Sequence, residues 1–199
     1  MNVLFICTGN TCRSPMAQAL LQKKANVHVQ SAGLFASAGA PASAGTLDVL
    51  QSNDIALNHQ SQAVTKETLD WADIILTMTM QHKQALTTQY PEVIEKLYAL
   101  KEYTLLDGQS TWEQLKQAYA RLEEKRLIVV TEKDQHQTEQ QLRAFLREEQ
   151  DEIERLEAEL PNYDISDPFG GDQQTYQETF TEIEKYIDIL AEKLENKEK

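Results

Sequence analysis

The chain is organised around an eight-residue loop close to its start, Cys7-Thr8-Gly9-Asn10-Thr11-Cys12-Arg13-Ser14. An apolar run at residues 3–6 precedes this loop and predicts a buried strand. The segment after the loop begins with Pro15, which is favoured in the first turn of a helix. A polar loop between a strand and a helix N-terminus offers backbone N–H groups and partial positive charge to an anion. The stretch therefore predicts a phosphate-binding cup.

Two side chains add chemistry to this cup. The planar guanidinium of Arg13 can hold two phosphate oxygens at once. The same positive field would keep Cys7, at the start of the loop, as a thiolate, and a thiolate is a nucleophile. The spacing Cys-x5-Arg-Ser therefore indicates a nucleophile at the bottom of a phosphate site.

Composition limits the classes of partner. The 199 residues carry a formal net charge of −13, which argues against nucleic acid and anionic membranes as partners. The sequence contains no apolar run near 18 residues and no charged-then-apolar leader, so we expect a soluble, cytoplasmic protein. The two cysteines share one loop and the four histidines are scattered, so neither a disulfide framework nor a metal site is predicted.

Strands and helices alternate along the first hundred residues. After the first strand, further strands are predicted at 27–32, 72–78 and 96–100, with helices between them. This alternation favours an α/β fold, a doubly wound four-stranded parallel sheet flanked by helices. Ligands bind at the carboxyl ends of the strands in such a sheet, which is where Cys7 lies. A last helix is expected from Gln173 to Leu194, followed by a frayed tail.

The segment at about 107–162 differs in character from the rest. Residues 107–166 include 15 acidic and 8 basic side chains, which supply about half of the net charge. Apolar residues at helical spacing predict two amphipathic helices, at about 111–127 and 137–160, that form an inserted hairpin in a single domain spanning 1–199. Residues 127–130 could extend the first helix or form a short strand. The hairpin could be structural core, cover the site as an acidic collar, dock a protein partner or mediate self-association.

A second motif, Asp167-Pro168-Phe169-Gly170, follows this insertion. Together with the cysteine loop it resembles the low-molecular-weight protein-tyrosine-phosphatase family, and it is most similar to the bacterial branch that acts as protein-arginine phosphatases. Further matches lie at 31–36, 55–59 and 100–103. The resemblance implies a protein phosphatase that needs no metal or cofactor and acts on phosphorylated proteins.

The resemblance also assigns roles to residues. Cys7 would attack phosphorus to give a phosphocysteine intermediate, Arg13 would hold the phosphoryl oxygens, and Asp167 would be the general acid. Asp164 is a nearby competitor for the acid role that lacks the Pro-aromatic context. The remaining residues expected to bind substrate or shape its site are Thr8, Gly9, Asn10, Thr11, Cys12, Ser14, Phe35 and Phe169.

Four smaller expectations concern the support of this loop. Ser14 could donate a hydrogen bond to the sulfur and help it leave. The resemblance implies that Asn10, Ser31 and His59 hydrogen-bond one another and hold the loop in shape. Cys12 could form a disulfide with Cys7 on oxidation and shield it from irreversible oxidation. Phe35 and Phe169 match the walls of a substrate slot.

Thr11 bears on which phosphate is hydrolysed. Phosphotyrosine members of the family usually carry a larger aliphatic residue at this position, and the arginine-phosphatase branch carries Thr. A hydroxyl at the rim can accept a hydrogen bond from a guanidinium N–H, so we expect phosphoarginine as substrate. The alternatives are a phosphotyrosine phosphatase and a non-catalytic phosphate-binding module. An arsenate reductase is disfavoured because no cysteine follows Cys12.

Overall fold

The computed structural model describes residues 1–105, 109–131, 139–159 and 161–197. Within these ranges the strands are β1 (Asn2–Cys7), β2 (His28–Gly33), β3 (Ile74–Thr77) and β4 (Leu97–Ala99). The helices are α1 (Arg13–Lys24), α2 (Ala44–Ser52), α3 (Lys66–Trp71), α4 (Met80–Gln89), α5 (Leu100–Thr104), α6 (Gln109–Thr131), α7 (Glu139–Glu159) and α8 (Gln173–Lys197), with a 3₁₀ segment at Pro91–Lys96. The chain divides into two compact units, Met1–Leu105 with Tyr163–Lys199, and Leu106–Asn162.

The four strands form one parallel sheet in the order β2-β1-β3-β4. In the middle of β1, Phe5 lies opposite Ser31 of β2 and Leu76 of β3. Residues 3–6 are fully buried, as expected for a parallel sheet that helices cover on both faces. The chain runs from β1 to β2 on one side and returns to β3 on the other, so the carboxyl end of β1 lies at a switch point of the sheet. The predicted α/β fold with a four-stranded parallel sheet is confirmed.

Helix α8 closes the larger unit by packing against α1 and α2. Its buried stripe consists of Phe180, Ile183, Ile187 and Leu190, which are at most 1% exposed. The expectation that the chain frays from Glu195 onward is wrong for residues 195–197, which continue α8. Leu194 is buried and holds the end of this helix in place.

The smaller unit contains α6 and α7, which pack against each other with opposite chain directions. Residues 127–130 continue α6, so of the two predicted alternatives the helical one is observed. Glu149 interrupts the apolar stripe of α7, and its carboxylate accepts a hydrogen bond from Lys125 at 2.5 Å. The predicted helix start at 137–138 and Leu160 lie outside the described residues. The apolar contact is formed by Leu115, Ala118, Leu122, Ile153 and Leu156.

No helix in the described ranges is both long enough and apolar enough to cross a lipid bilayer.

Candidate active site

The cysteine loop lies at the carboxyl edge of the sheet, between the end of β1 at Cys7 and the start of α1 at Arg13. A cavity of about 230 Å³ opens at this edge. It brings together eight of the eleven predicted site residues, since its lining consists of Cys7, Thr8, Gly9, Thr11, Cys12, Arg13, Asp167 and Phe169. The other three, Asn10, Ser14 and Phe35, are not among the lining residues.

The sulfur of Cys7 has two hydrogen-bonding neighbours. The backbone N–H of Asn10 donates to Sγ at 3.3 Å, and Oγ of Ser14 lies 3.0 Å from Sγ. Nδ2 of Asn10 donates to the same Ser14 oxygen at 3.0 Å, which leaves the Ser14 proton free to point at the sulfur. Two hydrogen-bond donors can thus be directed at the sulfur that the sequence predicts to be the nucleophile.

Asn10 does not line the cavity, but its hydrogen bonds hold the cysteine loop in shape. Its backbone is in the left-handed region, with φ of 55°, which Asn tolerates better than most residues. Its Nδ2 donates to Ser31 Oγ at 2.8 Å, and its Oδ1 accepts from the N–H of Gln62 at 2.9 Å. Its carbonyl accepts from Nε2 of His59 at 2.7 Å and from Oγ of Ser61 at 2.8 Å. The expected contacts of Asn10 with Ser31 and His59 are therefore present.

The end of β2 supports the loop through backbone contacts that require a glycine. A Cβ on Gly33 would lie 2.7 Å from the carbonyl oxygen of Thr8 and 2.8 Å from the backbone nitrogen of Asn10. The N–H of Phe35 donates to the Thr8 carbonyl at 2.8 Å. The ring of Phe35 is 81% exposed, so the backbone of this residue, and not its ring, contacts the loop.

Arg13 joins the cysteine loop to the predicted acid. Its Nη2 donates to Oδ2 of Asp167 at 2.6 Å, although the two residues are 154 positions apart in the chain. Its Nη1 donates to the carbonyl of Ile165 at 3.2 Å. Its Nε is buried and has no hydrogen-bond partner among the residues that the structure describes. A buried, unpaired donor of a cationic group in a cavity fits an anionic oxygen as its partner.

Asp167 belongs to a loop that is anchored to the sheet just before it. The N–H of Ile165 donates to the carbonyl of Met78 at 2.8 Å, directly after β3. Oδ1 of Asp164 accepts from the N–H of Met80 at 2.7 Å, in the first turn of α4. The structure therefore places Asp164 at a helix N-terminus and Asp167 in the cavity lining with Cys7.

A buried ion pair holds the same loop from the side of α8. Lys101, 6% exposed, lies 2.5 Å from Glu182 and donates to the Asp164 carbonyl at 2.6 Å. Glu182 also accepts from the N–H of Ser166 at 3.1 Å. Burial is the largest single influence and raises the pKa of Glu182, but the hydrogen bonds from Lys101 and Ser166 and the charge of Lys101 together outweigh it, so the pKa is lowered. Glu182 thus stays ionised and holds both partners.

The rim residue Thr11 is oriented by α2. Its carbonyl accepts from the N–H of Ser43 at 2.9 Å and from Oγ1 of Thr46 at 3.1 Å. Cys12 points away toward the same helix, because its Sγ donates to Ser43 Oγ at 3.3 Å and lies 3.5 Å from the Tyr176 hydroxyl. Tyr176 was not predicted, since the sequence gives no sign that a residue of α8 reaches this loop.

His82 is a further residue that the sequence analysis did not connect with the site. It is buried in the first turn of α4, and its Nε2 lies 2.8 Å from Oγ1 of Thr8, which lines the cavity. Its Nδ1 lies 2.9 Å from Oγ1 of Thr79, the N-cap residue of α4. Only the fold brings residues 8 and 82 together. Among the described residues, no group of three or more His, Cys, Asp or Glu side chains is placed to hold a metal.

A Cys-x5-Arg loop after the central strand of a parallel sheet, with an aspartate over the cavity, is the arrangement of a cysteine-dependent phosphatase of the α/β class. The family model described as "low molecular weight phosphotyrosine protein phosphatase" matches residues 2–121. The chain belongs to this family of phosphatases.

Two relatives that the chain resembles are bacterial. A protein-arginine-phosphatase of Bacillus subtilis is 46% identical over 108 residues, which are 52% of this chain and 72% of the relative. A protein-arginine-phosphatase of Geobacillus stearothermophilus is 33% identical over 199 residues, covering 98% of this chain and 97% of the relative.

Solved structures agree with the fold. The YwlE arginine phosphatase from Geobacillus stearothermophilus superposes with a TM-score of 0.68 at 32% identity, covering 98% of this chain and 94% of the other. A second structure, a cysteine-to-serine mutant of YwlE arginine phosphatase with a phosphorylated active-site serine, has a TM-score of 0.67 at 31% identity and covers 98% of this chain and 96% of the other.

Proposed function

We propose that this phosphatase hydrolyses phosphoarginine in proteins, through a phosphocysteine intermediate. The observation that carries the proposal is the position of Thr11, which lines the same cavity as Cys7, Arg13 and Asp167. A guanidinium leaving group brings several N–H donors into that cavity, and each one buried without a partner costs about 1–3 kcal/mol. A hydroxyl at the rim supplies an acceptor where an aliphatic side chain would supply none.

The hydrogen bonds around Thr11 favour its role as an acceptor. Cys12 Sγ–H donates to Ser43, so the Cys12 sulfur is free to accept. Oγ1 of Thr11 lies 3.6 Å from that sulfur and can donate its proton there. The lone pairs of the Thr11 oxygen are then available to a guanidinium N–H. Phe169, which lines the cavity and is 77% exposed, offers a flat apolar surface to the planar guanidinium.

In the first step, the thiolate of Cys7 attacks phosphorus and the P–N bond to the substrate arginine breaks as the S–P bond forms. Asp167 gives its proton to the departing nitrogen. Arg13 exchanges Asp167 for phosphoryl oxygens, which also provide a partner for its Nε. The loop N–H groups and Arg13 stabilise the charge on the equatorial oxygens.

In the second step, water attacks the phosphorus of phosphocysteine and gives its proton to Asp167. The S–P bond breaks, phosphate leaves and the Cys7 thiolate is restored. Ser14 and the Asn10 N–H, at 3.0 and 3.3 Å from the sulfur, stabilise the departing thiolate. Two relatives named as arginine phosphatases, and a serine mutant of such an enzyme with a phosphorylated active-site serine, support this route.

Phosphotyrosine is the second candidate substrate, because the family is named for it. The Thr11→Ile variant distinguishes the two, since it removes the acceptor and adds volume at the rim. We expect its kcat/KM ratio for phosphoarginine over phosphotyrosine to fall about tenfold or more. An unchanged ratio would contradict the role of Thr11.

Two matched variants separate the effect of the Thr11 hydroxyl from the effect of the side-chain shape. Thr11→Val keeps the branched shape without the hydroxyl and should lose activity on phosphoarginine only. Thr11→Ser keeps the hydroxyl and should retain the preference of the wild type. Turnover of p-nitrophenyl phosphate that survives Cys7→Ser would contradict the proposed nucleophile.

A further inference from the structure

Thr8 lines the cavity, and its hydroxyl is held from the side of α4. The proton positions around His82 follow from its two partners. Oγ1 of Thr79 already accepts the backbone N–H of His82 at 3.2 Å, so its own proton is free to go to Nδ1 at 2.9 Å. Nδ1 of the neutral ring is then an acceptor and Nε2 carries the proton.

Nε2 lies 2.8 Å from Oγ1 of Thr8, so in this tautomer it donates its proton to the Thr8 oxygen. The Thr8 oxygen accepts this bond, so its own O–H proton turns away from the imidazole. The cavity that Thr8 shares with Cys7 and Arg13 is where a phosphoryl oxygen would accept that proton.

From this geometry we propose that His82 is a positioning residue for phosphoryl transfer, which fixes the Thr8 hydroxyl as a hydrogen-bond donor to the bound phosphoryl group. The inference rests on the proposed phosphatase chemistry of this cavity, although not on the choice between arginine and tyrosine.

Burial and the charge of Arg13 keep the imidazole neutral. Burial, followed by the positive charge of Arg13, lowers the pKa of His82 to about 4, although Asp167 and Asp164 act in the opposite direction. A protonated ring would donate from both nitrogens and leave the Thr79 proton without its acceptor. The neutral ring therefore keeps a single tautomer at neutral pH, and Thr8 keeps a single orientation.

The test is a double-mutant cycle between residues 8 and 82. Thr8→Val removes the hydroxyl and His82→Asn removes the Nε2 donor. Each is expected to lower kcat on p-nitrophenyl phosphate, and to weaken binding of inorganic phosphate measured by calorimetry, by about tenfold. If His82 acts through Thr8, the kcat and the phosphate affinity of the double variant will be no lower than those of the less active single variant. Independent, multiplying losses would overturn the proposal.

Conservative variants separate positioning from mere support of the fold. Thr8→Ser keeps the hydroxyl, and His82→Gln keeps an N–H donor about as far along the side chain as Nε2. Both should recover most of the activity and of the phosphate affinity. If His82→Asn does not fold, the Thr8 pair decides alone, and a Thr8→Val variant as active as Thr8→Ser would overturn the proposal.

Failure of this inference can be told apart from failure of the proposed function. A wild type that prefers phosphotyrosine contradicts the proposed substrate and leaves the coupling between residues 8 and 82 intact. A preference for phosphoarginine without that coupling contradicts only the role of His82.

Discussion

The guanidinium of Arg13 is 4% exposed and has donors left over after its contacts with the acid loop. Nη1 and Nη2 donate to Ile165 and Asp167, whereas Nε has no partner within the described part of the chain. Burying a cation is unfavourable unless its donors are paired, so the arrangement favours an anion in the cavity. At the scale of the residue, the Arg13 side chain therefore links the affinity for phosphate to the position of the acid Asp167.

The titration of His82 makes a prediction about stability. Its pKa of about 4 in the folded protein is below the ordinary value of 6.5, so between these pH values the unfolded chain binds more protons than the folded one. The free energy of unfolding should therefore fall as pH decreases from 6.5 to 4, by on the order of 3 kcal/mol from this group.

Urea denaturation of the wild type and of His82→Gln at several pH values measures this contribution. Other titrating groups, including Glu182, are present in both proteins and largely cancel in the difference. The stability of the wild type relative to His82→Gln should decrease below pH 6.5. A difference that does not change with pH would show that His82 is not a depressed, buried imidazole.

At the scale of the element, the acid loop depends on a buried ion pair. Lys101 bridges Glu182 and the Asp164 carbonyl, and Glu182 holds the N–H of Ser166, next to Asp167. β3, α5 and α8 thereby fix the segment that carries the acid. Rigid elements thus position the acid.

Replacing Lys101 by Met should leave Glu182 half-buried and unpaired. Because Glu182 is only partly buried, the loss should be smaller than the about 3–5 kcal/mol of a fully buried pair, and adding Glu182→Gln should recover part of it. We expect kcat on p-nitrophenyl phosphate to fall because Asp167 is less well placed, while binding of inorganic phosphate changes little. Lys66→Met, which breaks an exposed pair with Asp70, is the control and should change the stability little. Equal losses in the two variants would contradict the anchoring role.

The outline of these elements follows from the sequence, and several contacts do not. The continuous apolar run at 3–6 indicates a buried strand, and the spacing of three to four between Phe180, Ile183 and Ile187 indicates one face of a helix. Both patterns arise because the side chains that face the core are apolar. The cysteine loop consists of consecutive residues, so the phosphate-binding cup could be predicted from the sequence. The pairing of His82 with Thr8 spans 74 positions and depends on the strand order, which no local pattern encodes.

At the scale of the whole molecule, a net charge of −13 has to coexist with a site for phosphate. The amides of the loop and Arg13 supply a local positive field, which outweighs distant charges because salt screens those over about 10 Å. We propose that residues 106–162, which form a compact unit of their own, are an insertion in one phosphatase domain that spans 1–199.

Replacing residues 106–162 with a short Gly-Ser linker tests this organisation. The sheet, α1 and α8 all belong to the other unit, so we expect that unit to fold and to hydrolyse p-nitrophenyl phosphate as the full chain does. Slower turnover of phosphorylated proteins alone would identify the hairpin as a substrate-selecting or docking element. A deletion variant that cannot fold would contradict the proposal that residues 106–162 are an insertion in a phosphatase domain.

Parallel kinetics of the wild type on one peptide carrying either phosphoarginine or phosphotyrosine test the central claim most directly. Cys7→Ser and Asp167→Asn serve as controls for background hydrolysis and for the acid. We predict a higher kcat/KM for the phosphoarginine peptide and loss of turnover in Cys7→Ser. A higher kcat/KM for the phosphotyrosine peptide would contradict the assignment of phosphoarginine as the substrate.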